Sequence, residues 1–333
     1  MEMKSNIIRQ INKVNIIKYL HEQKSATKTD ISMATKLSFP TVGKILSELL
    51  KDGEIESQTF DISNGGRPAE RFAINASNTM VLALYMDTYS FEYQVRDSLK
   101  NIVADKSVAL REEDDAYSRL IAAIKAILTK YKAIKIISLG IPGSISNDIV
   151  QFMPQRYKIF NGKNLIQDLE ERFEMPVLLE NDINAIVQGQ HTSDPMEYSG
   201  SLVYLYRGAD GIGMGFTIDG KLIRGDNGLA GEVGFIPFDQ TRTMFEAIEQ
   251  AADENELAEV ISKLVITSIC FLNPSYFMMS GVKLQSGLIP MIDEITRKYC
   301  PVNVQLPKML AIDDTRDLYF NCLVNTALEV WYS

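Results

Sequence analysis

The chain has 333 residues, 46% of them hydrophobic and 23% charged, which are the proportions of a folded globular protein of two or three domains. Three widely spaced cysteines and two histidines argue against a disulfide framework and a histidine-rich metal site, and point to a reducing cytoplasm. No run of 18 apolar residues occurs, and Met1–Lys13 has no signal-peptide apolar core, so neither a membrane partner nor an export leader is expected. The net charge of −9 is wrong for a nucleic-acid binder taken whole, but it conceals an asymmetry. Residues 1–75 carry 11 Lys+Arg against 9 Asp+Glu, a net of +2, which leaves −11 for the remainder. A slightly basic head on an acidic body fits a DNA-reading module attached to a small-molecule domain.

Ile7, Ile8, Ile11, Val14, Ile17 and Leu20 recur at helical spacing and predict a first helix packed inward along one stripe. Thr27 or Thr29 is placed to cap a second, short helix. Lys36-Leu37-Ser38 reads as a turn, and Ser38 caps a third helix that accepts Pro40 in its first turn. Val42, Ile45, Leu46, Leu49 and Leu50 form the buried face of that helix, and Gly53 ends it. The order helix, helix, turn, helix makes the third element a recognition helix. Ser38, Thr41, Lys44 and Ser47 lie on or beside its polar face and are the candidate DNA contacts. An ordinary solvated helix face carries the same pattern. The next stretch favours DNA: strands at Glu54–Phe60 and Arg71–Ile74 enclose Ser63-Asn64-Gly65-Gly66-Arg67-Pro68. Such a hairpin is a wing, and Arg67 at its tip can enter a minor groove.

Asn75-Ala76-Ser77-Asn78 is a polar linker, and the head is expected to fold separately. Met80–Tyr85 is an apolar strand running into Asp87-Thr88-Tyr89-Ser90. Ala116–Tyr131 is an amphipathic helix, and Ile134–Leu139 a buried strand ended by Gly140-Ile141-Pro142-Gly143. Val177-Leu178-Leu179-Glu180-Asn181-Asp182 is a strand with a polar end that leads into a helix, which Asp182 could simply cap. Residues 211–234 then hold eight glycines of the chain's 20. Within them Met214–Ile218 is a strand, Asp219-Gly220 a tight hairpin turn, and Lys221–Ile223 the returning strand. Gly228-Leu229-Ala230-Gly231-Glu232 delivers one carboxylate from a close-packed loop. From spacing alone, a glycine-rich β-corner without a ligand fits equally well. Ala311–Ser333 reads as a final helix.

Taken together, the G-I-G-x-G run, the D-G-K-L hairpin, the A-G-E-x-G loop, the G-x-P-G turn and the strand-end E-N-D-x-N-A motif resemble the ROK family of repressors, open reading frames and sugar kinases. The S-x-x-T of the third helix and the G-G-R-P of the wing resemble the N-terminal domain of its repressors, a head that its kinases lack. The resemblance implies an α/β chain: an N-terminal winged helix-turn-helix (1–75) followed by a two-lobed actin-like (ribonuclease H-like) sugar-kinase fold. Its lobes span 76–190 and 191–310, and the helix at 311–333 packs back on the first. It implies that Asn181, Asp182 and Glu232 hold a sugar, and that Gln155 replaces a sugar-contacting asparagine of the family. In the kinases the aspartate at position 182 is the general base.

The departures from the family are as informative. Tyr89 and Ser90 stand where the kinases have two glycines that wrap ATP phosphates, so the nucleotide loop reads as lost. Phe235 stands in place of a histidine, and Ile236–Thr243 contains none of the zinc ligands found in other members. The resulting expectation is a DNA-binding transcriptional regulator, a repressor of carbohydrate-metabolism genes. It has no catalytic residues, no metal and no cofactor. Its partners are operator DNA, a sugar effector, and a second copy in a homodimer or higher homo-oligomer. The rivals are a hexose kinase using ATP and a constitutive DNA-binding protein with a decayed pocket.

Overall fold

A computed structural model describes residues 2–59, 69–208 and 211–333. The chain begins with α1 (Glu2–Gln23), β1 (Ser25–Thr27), α2 (Lys28–Thr35), α3 (Phe39–Lys51), β2 (Ile55–Thr59) and β3 (Glu70–Ile74). Thr27 caps α2 with a reciprocal box: its hydroxyl accepts from Asp30 N at 3.2 Å, and the Asp30 carboxylate accepts from Thr27 N at 2.9 Å. Ser38 caps α3, Lys36 turns the chain in the left-handed region, and Gly53 stops α3 at φ +75°. The three strands pair antiparallel in the order β1-β3-β2. The tip between β2 and β3, with Arg67, lies outside the described residues.

Two details of the head differ from the helical pattern. Ile16, Ile17 and Leu20 are buried, but Ile8 and Ile11 are 55% and 53% exposed. The buried side chains of α1 among the described residues all lie in its second half. Leu50 lies at the edge of α3 and is exposed, while Val42, Ile45, Leu46 and Leu49 fill the core.

The body continues with β4 (Met80–Met86), β5 (Ser90–Asp97), β6 (Ile102–Ala109), α4 (Ala116–Lys130), β7 (Ile134–Ile141), β8 (Ser144–Ser146), β9 (Ile149–Phe152), a 3-10 turn (Gln155–Phe160), α5 (Leu165–Phe173), β10 (Val177–Asn181) and α6 (Asp182–Ser193). Next come β11 (Leu202–Arg207), β12 (Ile212–Ile218), β13 (Lys221–Leu222), α7 (Met244–Gln250), α8 (Glu254–Leu272), β14 (Tyr276–Gly281), α9 (Ile289–Tyr299), β15 (Lys308–Ala311) and α10 (Arg316–Tyr332). Two five-stranded mixed sheets result, β10-β7-β4-β5-β6 and β15-β14-β11-β12-β13. Each joins three parallel strands to an antiparallel meander in the same order, so the second sheet repeats the first.

Five layers stack. Helices α4 and α5 cover the outer face of the first sheet, and α7, α8 and α9 cover the outer face of the second. Between the sheets lie α6 and α10. Burial on both faces explains why β4 reads as one apolar run: Val81 and Ala83 face the middle layer while Leu82, Leu84 and Met86 face α4. The predicted last helix is shorter than expected, because Lys308–Ala311 forms the edge strand β15.

The head does not pack as a separate body. Ile16, Leu20, Leu49 and Phe72 share one apolar cluster with Leu323, Ala327 and Tyr332 of α10. His21 meets Tyr332 edge-on at 6.0 Å between ring centroids. The linker is tied as well: Asn75 Nδ2 donates to Gly53 O at 3.0 Å, and the Thr79 hydroxyl to buried Glu54 at 3.1 Å.

Candidate functional site

The parallel strands of both sheets end at one cavity of about 560 Å³. Tyr85 and Asp87 reach it from the end of β4, Asn181 from β10, Arg207 from β11 and Ser280 from β14. Carboxyl ends of parallel strands are where α/β sheets bind ligands. Asn181 and Asp182, adjacent in the chain, and Glu232, fifty residues further on, all line this cavity.

Close packing fixes each of them. Asn181 ends β10 and caps α6: its Oδ1 accepts from Asn184 N at 3.0 Å, and its Nδ2 donates to Gly143 O at 2.9 Å. Asp182 is the first residue of α6, with Oδ1 accepting from Ile183 N at 2.8 Å. Two glycines of the G-I-G-x-G run, Gly213 and Gly215, seat α6, while Gly211 has open space around it and lines the cavity with Gly213. A Cβ on Gly215 would stand 2.9 Å from Val187 Cγ1, and one on Gly213 would overlap Ile183. Gly231, at φ +94°, accepts from Met214 N at 2.7 Å through its carbonyl. A side chain there would collide with Met214 O, so only glycine pins the loop to β12 and presents Glu232.

Two half-buried carboxyls in one cleft disfavour ionisation. The Asp182 carboxyl is pushed up to about 7, chiefly by burial, with Glu232 adding repulsion and the Ile183 amide opposing. Burial likewise raises Glu232. A site of this kind can offer a carboxylate acceptor or a carboxylic-acid donor to a hydroxyl group.

The cavity also has walls that the motifs did not reveal. Tyr85 stacks on Tyr319 of α10 at 4.5 Å with 17° between planes, and the buried Tyr319 hydroxyl has no hydrogen-bond partner among the described residues. Burial pushes the Tyr206 phenol up to about 12. Tyr85 and Tyr206 sit near the ends of β4 and β11, so the strand-end rule was the available signal. At the mouth, Phe152 of the first lobe meets Phe235 of the second edge-on at 5.9 Å. Arg224 pairs with Glu180 across the same gap.

Gln155 does not join the site. The 3-10 turn buries Tyr157 and Phe160 and leaves Gln155 exposed, while Pro154 and Arg156 on either side of it line the cavity. At the β4–β5 corner Asp87 N donates to Ser90 O at 2.9 Å, and neither Thr88 nor Tyr89 has positive φ. The corner is therefore an ordinary turn, without the backbone form that glycines would permit. The loop after Phe235 closes on Asp239, whose Oδ1 accepts from Thr241 N and Arg242 N at 2.8 Å each. Among the described residues no group of three or more His, Cys, Asp or Glu side chains is placed to hold a metal.

The candidate DNA contacts recur every third residue from the cap of α3 through most of its length. Ser38 is exposed, and its hydroxyl lies 2.8 Å from that of Thr41 while capping Thr41 N at 3.3 Å. Lys44 is exposed, and the Ser47 hydroxyl donates back to Gly43 O at 2.9 Å. All three hydroxyls are thus engaged by α3 and its cap. Arg67 falls outside the described residues.

The sequence matches the family described as ROK over residues 82–249. It is 25% identical to a xylose repressor of Caldicellulosiruptor bescii over 271 residues, 78% of this chain and 68% of that one. It is 24% identical to the N-acetylglucosamine repressor of Escherichia coli O6:H1 over 242 residues, 69% of this chain and 58% of that one. Among solved structures, a ROK family transcriptional regulator, described as a homologue of the E. coli MLC protein, superposes with a TM-score of 0.71 at 19% identity, covering 97% of this chain and 99% of that one. A ROK family glucokinase from Streptomyces griseus, in complex with glucose and AMPPNP, superposes with a TM-score of 0.58 at 17% identity, covering 75% of this chain and 99% of its own.

Proposed function

The chain belongs to the ROK family, and on that premise we propose that it is a cytoplasmic DNA-binding transcriptional regulator whose hold on an operator is set by a sugar in the cavity. The head, 1–75, acts as a winged helix-turn-helix, with α3 as recognition helix and Arg67 on the wing. Two copies bind a two-fold symmetric operator. The effector is a sugar or sugar derivative held by Asn181, Asp182 and Glu232 between the two lobes, 76–190 and 191–310. The regulated genes serve carbohydrate metabolism, and the chain acts as their repressor.

The observation that carries this reading is the head. The transcriptional-regulator structure covers 97% of the chain and the glucokinase only 75%. The head's third helix offers an exposed, acid-free end: no carboxylate occurs from Ile31 to Ser47, whereas Lys36 and Lys44 stand exposed there.

Coupling follows from packing. Asp182 and Glu232 reach the cavity from opposite sheets, so a sugar touching both stabilises one lobe spacing over others. Helix α10 lines the cavity with Tyr319 and meets α1 of the head through Tyr332 and His21. A change in lobe spacing therefore moves the two heads of a dimer. The test is selection of bound duplexes from a random pool, followed by footprinting. Enrichment of an inverted repeat supports the reading; recovery of no preferred sequence refutes it.

One observation favours a second reading, a sugar kinase. Asp182 occupies the strand–helix corner where the kinases of the family keep their base, and its raised pKa suits proton transfer. Coupled assays with ATP and hexoses separate the two, and the glycine-free corner at Asp87–Ser90 predicts no turnover.

A further inference from the structure

On α3 the side chain of Gly43 is missing where a neighbouring cation lies. Lys28, the first residue of α2, extends across the exposed face of α3 and places Nζ 4.0 Å from the centroid of the Phe39 ring. A Cβ on Gly43 would stand 2.8 Å from Lys28 Cε and closer still to Nζ. The glycine, which costs about 1 kcal/mol of helix propensity relative to alanine, leaves the groove in which Lys28 reaches the ring. Phe39 is the first residue of α3 and is 51% exposed. Pro40 follows it, and Ser38 before it is fixed as the cap, so the backbone beneath the ring is rigid. A large apolar ring is thus held outward at a set angle under a cation, with exposed Lys36 three residues before it and exposed Lys44 five residues after it in the chain.

We propose that Phe39 and Lys28 form a composite reader of one thymine per operator half-site, an inference that rests on the DNA-binding reading above. The Phe39 ring packs on the thymine C5-methyl in the major groove, a contact that aromatic side chains make with no other base. Lys28, held over one face of the ring, neutralises the phosphate beside that base. Charge complementarity favours DNA as the occupant: Lys28 lies over the ring, Lys36 and Lys44 are exposed on either side of it in the chain, and no carboxylate occurs between Ile31 and Ser47. The arrangement also explains the hydroxyl-poor character of the reading face, where Ser38 and Ser47 are bonded to α3 itself. Sequence is then read in part by shape and methyl groups rather than by paired hydrogen bonds.

The test replaces thymines of the selected operator one at a time by deoxyuracil, which removes only the methyl group, and measures affinity by fluorescence anisotropy. For the wild-type chain, one position in each half-site loses about three- to fivefold, the size of one buried methyl group. Phe39→Ala binds the unmodified operator more weakly and is indifferent to deoxyuracil at that same position. Lys28→Ala lowers the slope of log affinity against log salt by about 0.9 per half-site, the value for one phosphate. Melting temperatures of both variants serve as the folding control, and Phe39→Leu, which keeps an apolar contact, retains part of the deoxyuracil effect. A wild-type profile with no sensitive thymine overturns the inference, as does a sensitive position that persists unchanged in Phe39→Ala. If no operator is selected at all, the DNA-binding reading fails first and this inference with it.

Discussion

Titration of Asp182 gives the effector site its sharpest prediction. Its carboxyl titrates at about 7 in the folded chain, held up chiefly by burial. A group at that value is about one-tenth ionised at pH 6 and about nine-tenths at pH 8. If a sugar hydroxyl donates to the carboxylate, only the ionised fraction binds, and apparent affinity tightens about tenfold across that interval, ~1.4 kcal/mol. Glu232, also raised by burial, acts in the same direction. The assay is calorimetric titration of the wild-type chain with xylose, N-acetylglucosamine and glucose at pH 6, 7 and 8 and constant ionic strength. Asp182→Asn keeps the shape but loses the titration, so its affinity is weaker at pH 8 and its profile is flatter. The stability of the free protein moves oppositely. A folded-state pKa above the unfolded value of 3.8 contributes stability that is complete below about pH 4 and lost as pH rises through about 7. Asp182→Asn therefore melts higher than wild type at pH 8 and not at pH 4. A wild-type sugar affinity that is constant from pH 6 to 8, or a slope undiminished in Asp182→Asn, refutes the reasoning.

Three further outcomes are expected. Glu232→Ala leaves a sugar hydroxyl and its neighbours unpaired and weakens sugar binding by roughly 1–3 kcal/mol, measured by the same calorimetry, with operator affinity unchanged. Gly189→Ala forces α6 off α10, since its Cβ would stand 2.7 Å from the Leu318 carbonyl carbon, and thermal melting should show a loss of several kcal/mol. Tyr332→Ala removes the ring against His21 and loosens the head from α10, so hydrogen exchange in α1 accelerates and the response of operator binding to sugar shrinks, while sugar affinity itself stays.

What could be read in advance depended on whether the signal was local. Caps, turns and periodic faces are local: Thr27, Ser38, Gly53 and the Asp219-Gly220 hairpin stand where their residue types put them. The meeting of Asn181, Asp182 and Glu232 was legible only through the family resemblance, because nothing in their spacing joins β10 to the glycine-rich loop. Whether the glycine-rich stretch serves a ligand or a neighbouring element was open from spacing, since a missing Cβ gives the same sequence signal for both; Gly213 and Gly215 seat α6, and Gly213 also lines the cavity. Gln155 stands where the family resemblance implies a sugar-contacting asparagine, but a 3-10 turn redirects successive side chains, and Arg156 lines the cavity. Tyr319 and the join of head to body were invisible for the same reason. They depend on how α10 crosses between sheets, a contact of high sequence separation.

The central claim is that one cavity controls one DNA-binding head, and equilibrium anisotropy of a labelled operator, titrated with the chain in the presence and absence of the tightest-binding sugar, tests it most directly. The account predicts that sugar shifts operator affinity by a factor within the about 5–150-fold range of coupled sites, and that Glu232→Ala abolishes the shift at unchanged operator affinity. Operator affinity that no sugar alters, or a shift of wild-type size in both Glu232→Ala and Asp182→Ala, would contradict it.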